Sequence, residues 1–350
     1  MNNIFKRLMS FAVVSVMSAS FAVGAFAEDF SDMPNDWRTE ALVNAVDNGL
    51  ISGMGDGTIA PDANITRAQM AAIIVRALGA TEMADISMFK DVSADKWYYS
   101  ELAKAVYMKA FAGDGENMNP ENNITFQECF TVLSNVFNLF YRTTDEEVEA
   151  ELAKYTDGQQ VAPWAKKYYA SVLKYGYWAG GPEKLLTPTD YITRGEFAVV
   201  MDNMIETYIT EPGEVGELPA GNVLVRCDGA VFKGTKIEGD LIIGDGVPGN
   251  GVTLENIDVS DRLVFRGCAT PGMVEVKAED GTVTEELKYT DIGCSPTGKA
   301  FDIQIIGPHI SVAVGGIEKQ KLYVNRYAHV NLGMIGGGNT AVESAESEAE

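Results

Sequence analysis

The sequence predicts a multi-domain chain, mainly α-helical over its first two-thirds and all-β beyond. Three observations carry that prediction. One helix start is written three times, as ITRAQ at 65–69, ITFQE at 124–128 and ITRGE at 192–196, each opening an apolar run at helical spacing. A Pro-, Gly- and Glu-rich stretch, EPGEVGELPAG at 211–221, then interrupts the pattern. After it, short alternating strands punctuated by Gly and Asp repeat at an offset of 22 residues.

Taken in chain order, residues 1–27 read as a secretory signal peptide. Lys6 and Arg7 precede an apolar stretch from Phe11 to Phe26, and Ala25-Phe26-Ala27 makes an A-x-A cleavage site before Glu28. No cysteine follows that site, so no lipid anchor is expected, and no other stretch approaches the ~18 apolar residues of a spanning helix. The exported chain then has 323 residues, 350 less 27, enough for two domains with cores of their own. Its formal net charge of −23 becomes −25 when Lys6 and Arg7 leave, which argues against the clustered-cation surface that nucleic acid requires. An anionic polymer is not excluded, because repulsion is screened beyond about 8 Å and close contacts in a groove decide.

Each copy begins with an aromatic-x-Asp step, at Phe30 to Asp32, Phe89 to Asp91 and Tyr155 to Asp157, followed by Trp37, Trp97 or Trp164. Gly53, Gly113 and Gly180 each fall 16 positions after the tryptophan; Thr66 and Thr193 fall 29 after it and Thr125 28, one loop residue fewer. Leu42, Ala45 and Val46, like Leu102, Ala105 and Val106 or Tyr169, Val172 and Leu173, form the apolar face of a first helix. A second helix follows the threonine. Its stripe runs Met70, Ile73, Ile74, Ala77, Leu78 and recurs as Cys129, Val132, Leu133, Val136, Phe137 and as Phe197, Val200, Met201, Met204, Ile205. These stripes are core. Thr66, Thr125 and Thr193 fit the N-cap, and Gln69, Glu128 and Glu196 three residues on complete capping boxes. Arg67 and Arg194 run against the helix dipole by about 0.3–1 kcal/mol, so something else favours arginine there. Two readings stay open: a helix start with free N–H groups and a guanidinium fork receiving a carboxylate or phosphate, or a salt bridge to a neighbour such as Asp32 or Asp157.

The order aromatic-x-Asp, Trp, helix, Gly, DG loop, Pro, ITRAQ resembles the S-layer homology repeat, and three tandem copies resemble a complete S-layer homology domain. The resemblance covers about residues 28–210, as copies at 28–80, 86–141 and 155–210. It is closest in the first copy (FSDMPNDW, GMGDGTIAP, ITRAQ); in the second, Phe126 replaces the arginine. It implies a pseudo-threefold helical spindle whose inter-repeat grooves bind secondary cell-wall polysaccharide, often through a pyruvate ketal on an amino sugar. Such repeats hold bacterial surface proteins on the wall without a covalent bond. By the same resemblance Trp37, Trp97 and Trp164 support the sugar, Asp32, Asp91 and Asp157 hydrogen-bond in or beside the grooves, and Arg67 and Arg194 grip the acid. No cofactor is expected.

Between the second and third copies, 142–154 is a charged insertion expected to form a solvated helix. With 211–221 as a linker, residues 222–338 make the β-rich domain and the acidic end, 339–350, a disordered tail. Within the β region VFKGTKIEGDLII from Val231 matches TLENIDVSDRLVF from Thr253, aligning Phe232 with Leu254, Ile237 with Val259, Leu241 with Leu263 and Ile243 with Phe265. This suggests coils of a short β-helix or solenoid, continued at Ile310 and Lys321, with an ordinary β-sandwich as the alternative. Cys129 sits on a core stripe, while Cys227, Cys268 and Cys294 leave room for one disulfide that the sequence does not choose. His309 and His329 lie in strand-like surroundings without metal-ligand spacing.

The sequence therefore points to a secreted, non-catalytic protein of the cell wall or surface layer. Its repeats bind an anionic wall polysaccharide, and its β region is displayed outward for assembly, spacing or adhesion. No G-x-S-x-G, H-E-x-x-H or catalytic cysteine with a histidine partner occurs, and GDGVPGNG from Gly244 lacks the Lys-Ser/Thr of a phosphate loop. The alternative, from a different class, is a wall-attached glycan-active enzyme with carboxylates drawn from Glu238, Asp240, Asp258 and Asp261.

Overall fold

A computed structural model describes residues 30–248 and 251–267, together with segments 273–277, 283–287, 290–291, 302–307, 311–315, 321–324, 329–332 and 342–344. The signal sequence, Cys268, Cys294 and His309 lie outside the described residues. Among these residues the helices are α1 (Thr39–Asp47), α2 (Arg67–Leu78), α3 (Tyr99–Tyr107), α4 (Phe126–Val136), α5 (Asp145–Leu152), α6 (Lys166–Lys174) and α7 (Arg194–Met204). All precede the first strand.

The second helix of each copy starts as its sequence dictates. Thr66 Oγ1 accepts from the Gln69 N–H at 3.2 Å while the Thr66 N–H donates to Gln69 Oε1 at 3.1 Å, and Thr125 with Glu128 and Thr193 with Glu196 repeat both bonds. The expected apolar stripes are buried in one core. Helix α2 packs on α3, α4 on α6 and α7 on α1, so each second helix lies against the first helix of the following copy and the third copy returns to the first. The backbone closes the same ring: the Ile65 N–H donates to Ile192 O at 3.0 Å, Ile192 to Ile124 O at 3.2 Å and Ile124 to Ile65 O at 3.2 Å. The charged insertion forms α5, which exposes Asp145, Glu146 and Glu149, buries Val148 and Leu152 and packs on α6.

A seven-stranded, all-parallel sheet follows, in the order β1 (Thr207–Ile209), β3 (Val223–Val225), β6 (Leu241–Ile243), β9 (Arg262–Phe265), β13 (Asp302–Ile305), β15 (Lys321–Val324) and β17 (Val342–Ser344). Smaller parallel sheets join β2 (Gly213–Glu214), β4 (Ala230–Lys233) and β7 (Val252–Glu255); β5 (Lys236–Ile237) and β8 (Asp258–Val259); and β12 (Thr290–Asp291), β14 (Ser311–Gly315) and β16 (His329–Leu332). One antiparallel hairpin, β10 (Met273–Lys277) with β11 (Val283–Leu287), has no counterpart in the sequence reading. The 22-residue offset is the parallel register itself, since Phe232 pairs with Leu254, Ile237 with Val259, Leu241 with Leu263 and Ile243 with Phe265. Val223, Val225, Leu241, Ile243, Leu263 and Phe265 point into a core shared with Phe232 and Leu254.

Strand residues of the opposite face do something the domain reading missed. Leu224, Ile242 and Val264, alternate to those inner residues, belong to the same apolar core as the helices, as does Ile306. Above them, arginines of the sheet cap helix ends. Arg226 donates to Asn48 O at 2.7 Å and Arg76 O at 3.0 Å, Arg266 to Val136 O at 2.7 Å and Met108 O at 3.1 Å, and Arg262 to Phe137 O at 3.1 Å and Asn138 O at 3.2 Å. The last carbonyls of a helix have no partner within it and carry the negative end of its dipole, so a cation there satisfies both needs. Arg262 is 1 % exposed and is balanced by Asp240 at 2 %, with Nε 3.0 Å from both carboxylate oxygens. Arg266 pairs with Asp245, and Arg142 on the helical side reaches Asp261 and Asp302.

Two expected boundaries move. The segment 211–221 is not a free linker over its whole length: Gly213 N–H donates to Gly229 O at 2.9 Å and Val215 N–H to Val231 O at 2.8 Å, which makes β2 an edge strand, and the main sheet already begins at Thr207. Pro and Gly mark flexible segments and edge strands alike. In the acidic end, 342–344 pairs with β15, Leu322 opposite Val342, because a parallel stack offers any following segment an unpaired ladder.

Candidate functional site

The structure brings the predicted site residues together, as parts that interlock around the ring. Asp32 accepts from the Ile59 and Ala60 N–H groups at 2.7 and 2.8 Å, Asp91 from Met118 and Asn119 at 2.9 and 2.7 Å, and Asp157 from Leu186 and Thr187 at 2.9 and 2.8 Å. The second residue of each pair has positive φ: Ala60 at 51°, Asn119 at 53° and Thr187 at 42°. Each is a left-handed turn with a side chain, and the charge-assisted bonds offset its strain. The three aspartates are clamps beneath the loops.

Each second-helix start reaches under the loop of the next copy. Arg67 Nε donates to Met118 O at 3.0 Å and Nη2 to Ala112 O at 3.3 Å; Arg194 Nε donates to Ile59 O at 2.9 Å and Nη2 to Ser52 O at 3.0 Å. Their partners are carbonyls, in place of the carboxylates of Asp32 or Asp157. Nor are the first-turn amides free. Arg67 and Ala68 donate to Asn122 and Pro120, Phe126 and Gln127 to Asp190 and Pro188, and Arg194 and Gly195 to Ala63 and Pro61, all at 2.9–3.0 Å. The expectation of an open helix N-terminus is thereby corrected: ring closure has already used those donors. What stays available for an anion is guanidinium.

Phe126 fills the equivalent place in the third loop, 5.2 Å from the Trp178 ring, as Arg67 lies 5.7 Å over the Phe111 ring. The carbonyl that arginine would take there, Leu186 O, accepts instead from Tyr169 Oη at 2.6 Å. Tyr169 stands where the other copies have Leu42 and Leu102.

Trp37, Trp97 and Trp164 stand at the surface, 42, 58 and 54 % exposed. A cleft of about 340 Å³ lies among the 51–54 loop, α2 and Trp97. Helix α2 lines it with Gln69, Ala72, Ile73 and Arg76, one face at i, i+3, i+4 and i+7. The buried Arg194 lines it from the third copy. Burial, and then the charge of Arg76, lower the affinity of Arg194 for its proton, and the smaller opposing pull of Asp32 does not reverse this. Ser52, Met54 and Arg76 were missed in the sequence. Arg76 carried a signal nonetheless: ten residues after the N-cap, the other copies have Asn135 and Asn203.

In the β region, the four carboxylates weighed for catalysis include three with cationic partners. Asp240 holds Arg262, Asp261 holds Arg142 and Glu238 holds Lys236. Cys129 is fully buried, Cys227 is a free thiol, and no metal-binding cluster occurs among the described residues. No helix among them is long and apolar enough to cross a membrane.

Residues 29–71, 89–128 and 154–198 match the S-layer homology (SLH) domain. The chain carries three SLH domains. Related proteins include the Surface-layer 125 kDa protein of Lysinibacillus sphaericus, 33 % identical over 59 % of this chain, and Exoglucanase XynX of Acetivibrio thermocellus, 27 % identical over 51 %. The chain spans only 17 % and 16 % of the length of those two. An S-layer protein of Bacillus thuringiensis subsp. finitimus is 22 % identical over 91 % of this chain and 37 % of its own length. The exoglucanase is similar through the SLH region alone. SLH domains and relatives of this kind place the protein in a secreted, cell-surface location and support anchoring to the cell wall.

Proposed function

We propose that the SLH ring anchors this protein non-covalently to the bacterial wall by binding an acidic, pyruvylated secondary wall polysaccharide, and that the β region is held outward as a non-catalytic module. One observation carries the reading: a cleft that sets an exposed indole, Trp97, beside two guanidiniums. An indole face stacks on a sugar ring, and guanidinium forks match carboxylate geometry in a partly desolvated site, where charge-assisted bonds are strongest. The 22-residue parallel register supports reading the β region as coils of a solenoid beginning near Thr207. The pairing of Glu238, Asp240 and Asp261 with cations favours the non-catalytic reading over a glycan-active enzyme. The test is co-sedimentation of the full chain with wall sacculi before and after mild acid strips their polysaccharide. Binding that survives stripping, or glycan turnover by the purified chain, overturns the reading.

A further inference from the structure

The three grooves of the ring are unequal in charge. By repeat equivalence, the face Gln69, Ala72, Ile73 and Arg76 recurs as Glu128, Thr131, Val132 and Asn135, and as Glu196, Val199, Val200 and Asn203. The residue entering from the preceding copy is Arg194 for the first groove, Arg67 for the second and Phe126 for the third. The loop aspartates Asp32, Asp91 and Asp157 are common to all three and cancel from the comparison. On these equivalences the first groove has two cations and no acid, the second one cation with Glu128 and, at the place of Met54, Asp114, and the third Glu196 with no cation. Like charges that share a low-dielectric cleft repel, and an anion entering between them relieves that repulsion.

We propose that the acidic group of the wall glycan is taken by the first groove alone, between α2 and the 51–54 loop, and that Arg76 is the residue that sets this specificity. The proposal rests on the anionic-glycan reading above. Arg194 uses Nε and Nη2 on loop carbonyls and acts mainly as the buried positive floor. The Arg76 guanidinium donates from Nη1 to Leu50 O at 3.0 Å, which leaves its other N–H groups for the ligand. Asn135 and Asn203 offer no charge at the same position. The other two grooves, with Trp164 and Trp37 at the places equivalent to Trp97, are left to neutral sugar contacts.

The experiment is calorimetric titration of the full chain with the methyl glycoside of an amino sugar bearing a pyruvate ketal, with the methyl ester of that ketal as the neutral control. The expected result is one acid-dependent site per chain. Arg76→Gln weakens binding about ten- to a hundredfold. Arg76→Lys restores much of it, and Trp97→Ala costs far more of the acid-dependent binding than Trp37→Ala or Trp164→Ala. A stoichiometry of two or three, or equal losses in the three tryptophan variants, overturns the single-groove proposal and leaves the anionic-glycan reading standing. Equal affinity for acid and ester, or sacculus binding without probe binding, removes the acid from this groove. Failure to bind either probe or sacculi removes the anchoring reading as well.

Discussion

Phe126 and Tyr169 form a linked pair of departures within one chain. Where a copy has arginine at the helix start, the next loop's carbonyl is satisfied by that arginine; where it has Phe126, Tyr169 supplies the donor. On the sequence alone, Phe126→Arg looks like the repair of a missing site. The structure predicts the opposite, because the new guanidinium meets Trp178 and a carbonyl already bonded at 2.6 Å. Phe126→Arg is expected to lower stability by about 2–3 kcal/mol in chemical denaturation, the range for a buried polar group without a partner. Adding Tyr169→Leu should recover part of that loss, and a purely additive double mutant would refute the coupling. A second residue-scale case is Tyr208, whose hydroxyl is buried without a hydrogen bond while Arg226 lies 5.3 Å over its ring. Tyr208→Phe keeps the ring and removes the orphan donor, so it should stabilise by about 1 kcal/mol, raising Tm by about 2 °C.

At the scale of elements, much was legible. Capping boxes, apolar stripes and the 22-residue offset are local or strictly periodic, and physics at that range leaves few choices. The role of an aspartate 27 residues from its amide partner is different: Asp32 reads equally well as a groove ligand or as a loop clamp until the chain is closed. Arg226, Arg262 and Arg266 were illegible for the same reason, since a strand arginine normally reads as solvated and these face helix ends from 124 to 178 positions away. Among them Arg262 of β9, paired with Asp240 just before β6, is the most demanding. Asp240→Asn leaves Arg262 charged inside a nearly dry interface, and a loss of about 3–5 kcal/mol is expected from the shift of the denaturation midpoint at constant m-value. A loss below about 1 kcal/mol would mean that water reaches the pair. Burial by itself makes Arg262 easier to deprotonate, but Asp240 more than reverses this, so the guanidinium stays charged across any practical pH.

At the scale of the whole molecule, helices and sheet share one apolar core through Leu224, Ile242, Val264 and Ile306. The full chain is therefore expected to melt in a single calorimetric transition over these residues. A chain ending at residue 212 should melt several degrees lower, because its helix ends lose Arg226, Arg262 and Arg266 and its core face meets water. Equal melting temperatures would show the sheet to be a passenger. The ring has a last consequence, for evolution rather than energetics. An open stack of repeats can lengthen or shorten by one unit at either end, because each unit needs only a neighbour. Here Ile65, Ile124 and Ile192 hand one hydrogen bond around a circle, so deleting a copy orphans two junctions and inserting one opens the circle. Copy number is locked at three, and divergence is forced into the individual positions of each copy, as Arg76 against Asn135 and Asn203 already records.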